Sequence, residues 1–212
     1  YLHNAIDQIR GEAASLQFFS NNQFANPMVV RIAGLGYQRG FGGHFHNDNS
    51  ITALRDIPGI VVGCPSRGDD AVEMLRTLAA LATVDGRVAL FLEPIALYMT
   101  KDLHEAGDGQ WLTSYPPQGQ AMALGEGRVY EPDADDLVIF SYGNGVPMSL
   151  RAARRIEAAH GWKVRVVDLR WLVPLNEAFI VEQARSARRI LVVDEGRRSA
   201  GVGEGVITAI AE

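Results

Sequence analysis

The feature of this chain that most constrains its fold is a series of short apolar runs with no polar residue inside them. Residues 60–64 read Ile-Val-Val-Gly-Cys and residues 88–92 read Val-Ala-Leu-Phe-Leu, with a long helical pattern between them. Uninterrupted apolar runs are typical of strands covered on both faces, as in a parallel sheet. Strands that alternate with helices indicate right-handed crossovers. We therefore predict an α/β fold built on parallel sheets.

The alternation of strands and helices is broken once. In the first part, predicted strands cover residues 28–32, 59–64 and 88–92, and predicted helices cover 4–19, 51–55 and 69–84. Ser66 is the expected cap of the third helix, because a serine oxygen accepts hydrogen bonds from free helix amides. Residues 99–136 lose the periodicity and contain Pro116, Pro117 and Pro132, so they read as a linker. Further strands then cover residues 137–141, 164–169 and 189–193, and helices cover 148–159, 176–187 and 205–211.

Composition argues against several classes of protein. The net charge of −5 does not suit a nucleic-acid surface, and Arg151, Arg154 and Arg155 have the spacing of a solvated helix face. The single cysteine, Cys64, forms no internal disulfide and gives no sign of an oxidising compartment. No apolar run approaches the roughly 20 residues that span a bilayer. We expect a cytoplasmic protein that binds neither nucleic acid nor membrane.

A glycine-rich segment is the most informative motif. Five glycines lie between residues 34 and 43, and residues 44–50 read His-Phe-His-Asn-Asp-Asn-Ser. Glycines allow sharp bends and close approach of a ligand, and the polar residues that follow suit an active-site loop. A zinc site at His44 and His46 stays open, although no further ligand cluster is evident. So does a purely local role for the two histidines in loop hydrogen bonds.

Two other strings imitate cofactor motifs without matching them. Residues 201–206 read Gly-Val-Gly-Glu-Gly-Val, a poor match to the dinucleotide pattern Gly-x-Gly-x-x-Gly. Gly107, Asp108 and Gly109 have the order of a magnesium-binding motif, but no predicted strand precedes them and Asn144 is too far downstream to be the second ligand. We interpret this magnesium-like string as a coincidence.

Several strings match, in order, segments of one family. In the first part they are Ala-Ile-Asp-Gln at 5–8, Pro-Met-Val-Val-Arg at 27–31, Ile-Pro-Gly-Ile-Val-Val at 57–62 and Phe-Leu-Glu-Pro at 91–94. In the second they are Asp-Leu-Arg at 168–170, Asp-Glu-Gly at 194–196 and Gly-Val-Gly at 201–203. Together these strings resemble the beta subunit of the thiamine-diphosphate-dependent 2-oxoacid dehydrogenases, of the pyruvate and branched-chain type, in the transketolase superfamily.

The resemblance implies an architecture and a reaction. Residues 1–98 would be the C-terminal part of a pyrimidine-binding domain, 99–136 a linker, and 137–212 an incomplete transketolase C-terminal domain, so we expect a fragment. The family decarboxylates a 2-oxo acid on thiamine diphosphate and transfers the acyl group to lipoamide on an acyltransferase partner. Its magnesium and diphosphate ligands belong to an alpha-type half or subunit. We therefore expect such a partner, and self-association into a dimer or heterotetramer.

The resemblance also implies site residues. His46 falls on the histidine of the family's His-Ser-Gln motif, which faces the thiazolium and is implicated in acyl transfer. Asn47 and Asp48 replace the serine and glutamine of that motif. Tyr1 falls on the aromatic residue that packs against the aminopyrimidine, and the glutamate that activates the pyrimidine would lie upstream of residue 1.

A potassium site of the family is altered here. Many beta subunits bind potassium at the turn after the long helix, through carbonyl oxygens, an aspartate and an asparagine. Asp85 matches the aspartate, but Arg87 stands where the asparagine would be. A guanidinium offers only donors and a fixed positive charge, so we expect no bound monovalent cation. Arg87 then either pairs with Asp85 or points to solvent.

Two other functions stay open. A transketolase or deoxyxylulose-phosphate synthase would transfer a ketol group to a sugar aldehyde, with Arg39 and Arg67 as candidate phosphate ligands. Alternatively, the chain is a non-catalytic module at a subunit interface, since the activating glutamate is not in it.

Overall fold

The first half of the chain alternates helices and strands as the apolar pattern predicts. A computed structural model describes residues 2–36, 43, 46–49 and 51–212. The elements are α1 Leu2–Asp7, a π-helical segment Gln8–Ala14, α2 Leu16–Phe19, β1 Met28–Gly34, α3 Ile51–Arg55, β2 Ile60–Gly63, α4 Gly68–Asp85, β3 Val88–Pro94 and a 3-10 turn Ile95–Leu97. The predicted α/β class is confirmed.

The first sheet has the strand order β1-β3-β2-β7. Its central strand β3 pairs in parallel with β1 and β2, so that Val88 lies opposite both Met28 and Ile60. β2 and β3 are buried along their whole length, which explains why their sequences show no polar alternation. Met74 of α4 packs against Phe91 and covers one face of the sheet.

Helix α4 does not begin as the sequence predicts. Ser66 is not its cap, because the helix starts at Gly68 and Arg67 holds the cap position, without a capping hydrogen bond from its side chain. Ser66 is buried instead, and its hydroxyl faces the Asp168 carboxylate. The acidic first turn, Asp69 and Asp70, is present as predicted. Tertiary contacts therefore determine the environment of Ser66, which does not cap helix α4.

The second half of the chain forms a second sheet. Its elements are β4 Arg128–Tyr130, β5 Leu137–Ser141, α5 Gly145–His160, β6 Val164–Asp168, β7 Trp171–Val173, α6 Glu177–Arg185, β8 Ile190–Val192 and α7 Val202–Ala211. The order is β4-β6-β5-β8, with β5 parallel to both β6 and β8. β4 comes from the stretch predicted as a linker and pairs antiparallel with β6. The division at residues 98 and 136 stays a prediction.

One short strand joins the two sheets. β7 follows β6 directly in the chain, yet it pairs antiparallel with β2 of the first sheet. The amide of Cys64 donates a 2.7 Å hydrogen bond to the carbonyl of Arg170. Gly63 leaves room for Trp171, whose ring would lie 3.3 Å from a side-chain carbon at that position. The two sheets also share one apolar core, which contains Leu92 of the first and Phe140 of the second.

A buried network of charges lies where the sheets meet. Arg170 and Arg128 both donate to Oδ1 of Asp70, at 2.6 and 2.7 Å. Arg128 also donates to Asp69 at 3.1 Å. Asp168 is fully buried beside this cluster, and burial together with the charge of Asp70 raises its pKa to about 7. Helix α4 of the first half is thus tied to β4 and β6 of the second. Within the described ranges, no helix is both long enough and apolar enough to cross a membrane.

Candidate functional site

The segment that carries His46 lies at the carboxyl end of β1. A side-chain carbon at Gly34, the last residue of the strand, would lie 3.6 Å from the carbonyl oxygen of Asp48 and 3.9 Å from that of His46. The loop backbone therefore lies within van der Waals contact distance of a side chain at the strand end. In open α/β sheets, ligands bind in the crevice outside the carboxyl ends of the strands.

His46 is half-buried in a turn that its own neighbours hold. Its backbone amide donates to the carbonyl of Gly43 at 3.2 Å, and the side-chain amide of Asn47 donates to the same oxygen at 2.8 Å. The carbonyl oxygen of Gly43 thus accepts hydrogen bonds from two consecutive residues. These bonds hold the backbone of His46 in place. Asn47 serves the loop's own structure through this bond.

Asp48 links the loop to the first helix. One of its carboxylate oxygens lies 3.2 Å from Nε2 of His3 on α1. A cavity of about 450 Å³ opens next to this pair, and most of the residues that line it have polar side chains. The lining residues are His3, Asn47, Asp48, Asn49, Thr52, Ala53, Glu195, Gly196 and Arg197. The cavity therefore lies between the loop of the first half and the segment after β8 in the second.

Two polar residues of the second half reach the glycine-rich segment, the buried Asn144 and the half-buried Glu195. The side-chain amide of Asn144 donates to the carbonyl of Gly36 at 2.9 Å and to the Glu195 carboxylate at 3.2 Å. Burial raises the pKa of Glu195, whereas the hydrogen bonds that it accepts from Asn144 and from the Gly36 amide lower it. Asn49 donates to the backbone carbonyl of Glu195 at 2.8 Å.

The glycines at 201–203 hold a carboxylate and not a dinucleotide. Asp194 accepts hydrogen bonds from the Tyr142 hydroxyl at 2.5 Å and from the amides of Gly196 and Gly203 at 2.7 Å each. A side-chain carbon at Gly201 or Gly203 would lie 3.0 to 3.3 Å from an oxygen of Asp194. These glycines are therefore needed for close packing around a structural carboxylate. Burial and Asp194 raise the pKa of Tyr142 well above its ordinary value.

The magnesium-like string has a structural role. Asp108 accepts hydrogen bonds from four backbone amides, those of Leu103, His104, Glu105 and Gln110. These bonds hold its pKa well below the usual range of a carboxyl group. Both oxygens of Asp108 are engaged with the chain itself. Among the described residues, no group of three or more histidine, cysteine or acidic side chains is arranged to hold a metal ion.

The turn after α4 separates the two residues of the altered potassium site. Asp85 is exposed, and it forms no ion pair with Arg87, although both lie in the part of the chain that the structure describes. Arg87 is half-buried and lines a cavity of about 270 Å³ that also borders Ala14 and Asn26. Neither alternative for Arg87, pairing with Asp85 or pointing to open solvent, describes this position.

Some of the predicted site residues cannot be placed, and two residues that were not predicted contact the loop. Tyr1, His44 and Arg39 lie outside the described residues. Two residues of the second half contact the loop instead. Asn144 is not expected from sequence to be a metal ligand, and Glu195 is not predicted as a site residue. The only signal for Glu195 was its place in the Asp-Glu-Gly string of the resemblance. No local pattern connects residues more than 100 positions apart.

Comparison with known proteins gives matches to a transketolase domain and to the beta subunits of 2-oxoacid dehydrogenases. Residues 125–212 match the model of the transketolase C-terminal domain, a range that includes β4. The 2-oxoisovalerate dehydrogenase subunit beta of Bacillus subtilis is 29% identical over all of this chain and 59% of its own length. The pyruvate dehydrogenase E1 component subunit beta of Staphylococcus epidermidis is 28% identical over all of this chain and 60% of its own length. The chain thus spans about 60% of these curated relatives.

A solved structure agrees at the level of the fold. A split-gene transketolase, described as an inactive beta4 tetramer, superposes with a TM-score of 0.64 at 19% identity, over 98% of this chain and 60% of that one. The matched strings, the two sheets and the alignments therefore agree. Residues 125–212 thus match a transketolase C-terminal domain, and the chain is similar along its whole length to the beta subunits of 2-oxoacid dehydrogenases.

Proposed function

We propose that this chain is part of a 2-oxoacid dehydrogenase component that decarboxylates a 2-oxo acid on thiamine diphosphate and passes the acyl group to lipoamide. One observation carries the proposal: His46 is half-buried in a braced turn at the carboxyl end of a parallel strand, and the two residues that follow it, Asn47 and Asp48, line a cavity. The position suits a proton-transfer group. The full-length relatives named above support the reaction type.

The described residues fit only one end of the cofactor. The glycine-lined strand end and the polar cavity suit the ring systems, since backbone can approach closely at Gly34 and Gly36. They do not fit a magnesium–diphosphate group, because Asp108 is occupied by backbone amides. We therefore assign those ligands to an alpha-type half or subunit. When bound, thiamine diphosphate supplies the electron sink for decarboxylation.

His46 would act as the proton donor and acceptor during acyl transfer. An imidazole can exchange a proton near neutral pH, which suits this role. The bonds to the Gly43 carbonyl fix its backbone. Asp48, tied to His3, would keep the loop against α1. The resemblance implies that Tyr1, which precedes α1 in the sequence, packs against the aminopyrimidine.

The proposal includes partners and a compartment. We infer an alpha-type partner, fused or separate, a dimer or heterotetramer, and a lipoyl acyltransferase, in the cytoplasm. An exposed aromatic pair on α2 supports association: Phe18 and Phe19 are 82% and 80% exposed, with ring centroids 5.4 Å apart. Side chains of this size are normally covered at interfaces.

Ketol transfer by a transketolase-like enzyme finds less support. Arg67, one candidate phosphate ligand, donates to Asp69 at 3.2 Å and lies over the ring of Trp111. An arginine engaged on both sides is a poor phosphate ligand.

The test uses the full-length protein with its alpha-type partner, thiamine diphosphate and magnesium. We expect acylation of lipoamide from at least one member of a panel of pyruvate and branched-chain 2-oxo acids. Transfer to a sugar aldehyde without lipoamide acylation would contradict the proposal. Calorimetry on the isolated chain should show no tight binding of thiamine diphosphate, and micromolar binding would contradict the division of ligands between the halves.

A further inference from the structure

A single residue of the second half holds both ends of the segment that carries His46. The side chain of Glu195 accepts a hydrogen bond from the backbone amide of Gly36, where the segment begins. The backbone carbonyl of the same Glu195 accepts a 2.8 Å bond from the side chain of Asn49, where the segment ends. The two attachment points are 13 positions apart in sequence (36 to 49) and meet at one residue.

Asn144 completes this clamp. Its side-chain amide donates to the Gly36 carbonyl at 2.9 Å and to both oxygens of Glu195, at 3.2 and 3.4 Å. Asn144 stands at the start of α5, where an asparagine normally accepts bonds from the helix amides, but here it makes no such cap. It is only 3% exposed. Its hydrogen bonding is directed to the loop and to Glu195 instead of to its own helix.

The packing around Glu195 leaves little freedom. A side-chain carbon at Gly36 would lie 3.4 Å from Oε2 of Glu195, so the strand end and the carboxylate are already in contact. Hydrogen bonds to an ionised acceptor are stronger than those between neutral groups. Glu195 also lines the polar cavity next to Asp48 and Asn49. A carboxylate at this place therefore sets where the loop lies relative to the cavity.

We propose that Glu195 is a positioning residue for the proposed acyl-transfer step, acting by holding Gly36 and Asn49 so that the turn with His46 stays at the end of β1, next to the cavity that Asn47 lines. The inference rests on the proposed function for its catalytic consequence, but the clamp itself is a structural property. The second domain would then take part in the reaction through the geometry of the histidine loop, without contacting the reacting atoms.

The first test measures the clamp without activity. Hydrogen–deuterium exchange on the full-length complex should show several-fold faster exchange in peptides covering residues 34–49 for Glu195→Ala. Glu195→Gln, which keeps an oxygen for the Gly36 amide, should fall between this variant and the wild type. Asn49→Ala releases one end only and should loosen the same peptides if Glu195→Ala fails to fold. Glu182→Ala, an exposed carboxylate on α6, is the control and should change nothing there.

The second test measures the consequence. In the holoenzyme, Glu195→Ala should lower kcat for lipoamide acylation on the order of 10²-fold, the size expected for a misplaced catalytic group, and lower decarboxylation with an artificial electron acceptor much less. Unchanged exchange in residues 34–49 would overturn the clamp. Faster exchange with no selective loss of acyl transfer would overturn the positioning role. If His46→Ala itself gives no selective loss, the proposed function fails, and the exchange result still stands.

Discussion

Arg170 donates a 2.6 Å hydrogen bond from Nη2 to Oδ1 of Asp70, and both side chains are almost fully buried at the junction of the two sheets. Breaking a buried ion pair by removing one partner leaves an uncompensated charge and costs about 3–5 kcal/mol. We expect Arg170→Met to lower the free energy of unfolding by about that amount, measured by urea denaturation. Arg188→Met removes an exposed partner of Asp136 and should cost less than about 1 kcal/mol. Equal losses would contradict this account of the junction.

The same junction makes stability depend on pH. The pKa of Asp168 is about 7 in the folded chain because of burial and the charge of Asp70, against an ordinary value of 3.8. The folded state then binds more protons than the unfolded state between about pH 4 and 7, so this group makes stability fall as pH rises through that range. Asp168→Asn should remove part of the fall. The test is to measure the melting temperatures of both proteins at pH 5 and at pH 8. A change in melting temperature between the two pH values that is the same in the variant as in the wild type would refute the assignment.

The carboxylate of Asp194 is expected to be structural. Asp194→Ala would leave the amides of Gly196 and Gly203 and the hydroxyl of Tyr142 without their acceptor. Each buried group left without a partner costs about 1–3 kcal/mol, so the loss should exceed about 2 kcal/mol. Thermal unfolding measures this loss. A variant as stable as the wild type would show that water replaces the carboxylate.

The sequence could predict those parts of the fold that local pattern controls. The apolar runs predict the buried strands β2 and β3, whereas β4 and β7 are not predicted, because both are short antiparallel strands that stand outside the alternation of strands and helices. Both depend on pairing with distant strands. Ser66 was misread for the same reason, since its environment is set by Asp168 and not by the helix that follows.

The candidate site was predictable only in part. The resemblance identifies His46, and the turn that holds it depends on the nearby Gly43. This part of the site is local in sequence and could therefore be predicted. Asn144 and Glu195 come from the other half of the chain and are brought to Gly36 by the packing of the two sheets. No spacing rule could link them to the loop.

The turn after α4 gives a prediction about ions. Arg87 is half-buried and lines a cavity with Val88, at the turn where the resemblance implies a potassium site in other beta subunits. We expect the melting temperature and the activity of the complete enzyme to be the same in potassium and in sodium chloride. A rise in melting temperature specific to potassium would contradict this reading, and its loss in Asp85→Ala would locate the ion.

The most direct test of the account compares two histidine variants in two assays of the complete enzyme. His46→Ala should lower acyl transfer to lipoamide by about 10²–10⁴-fold, the usual contribution of a proton-transfer residue. Decarboxylation measured with an artificial electron acceptor should fall much less, and His44→Ala should be milder in both assays. Equal losses of the two activities in His46→Ala, or a greater loss in His44→Ala, would contradict the assignment of His46.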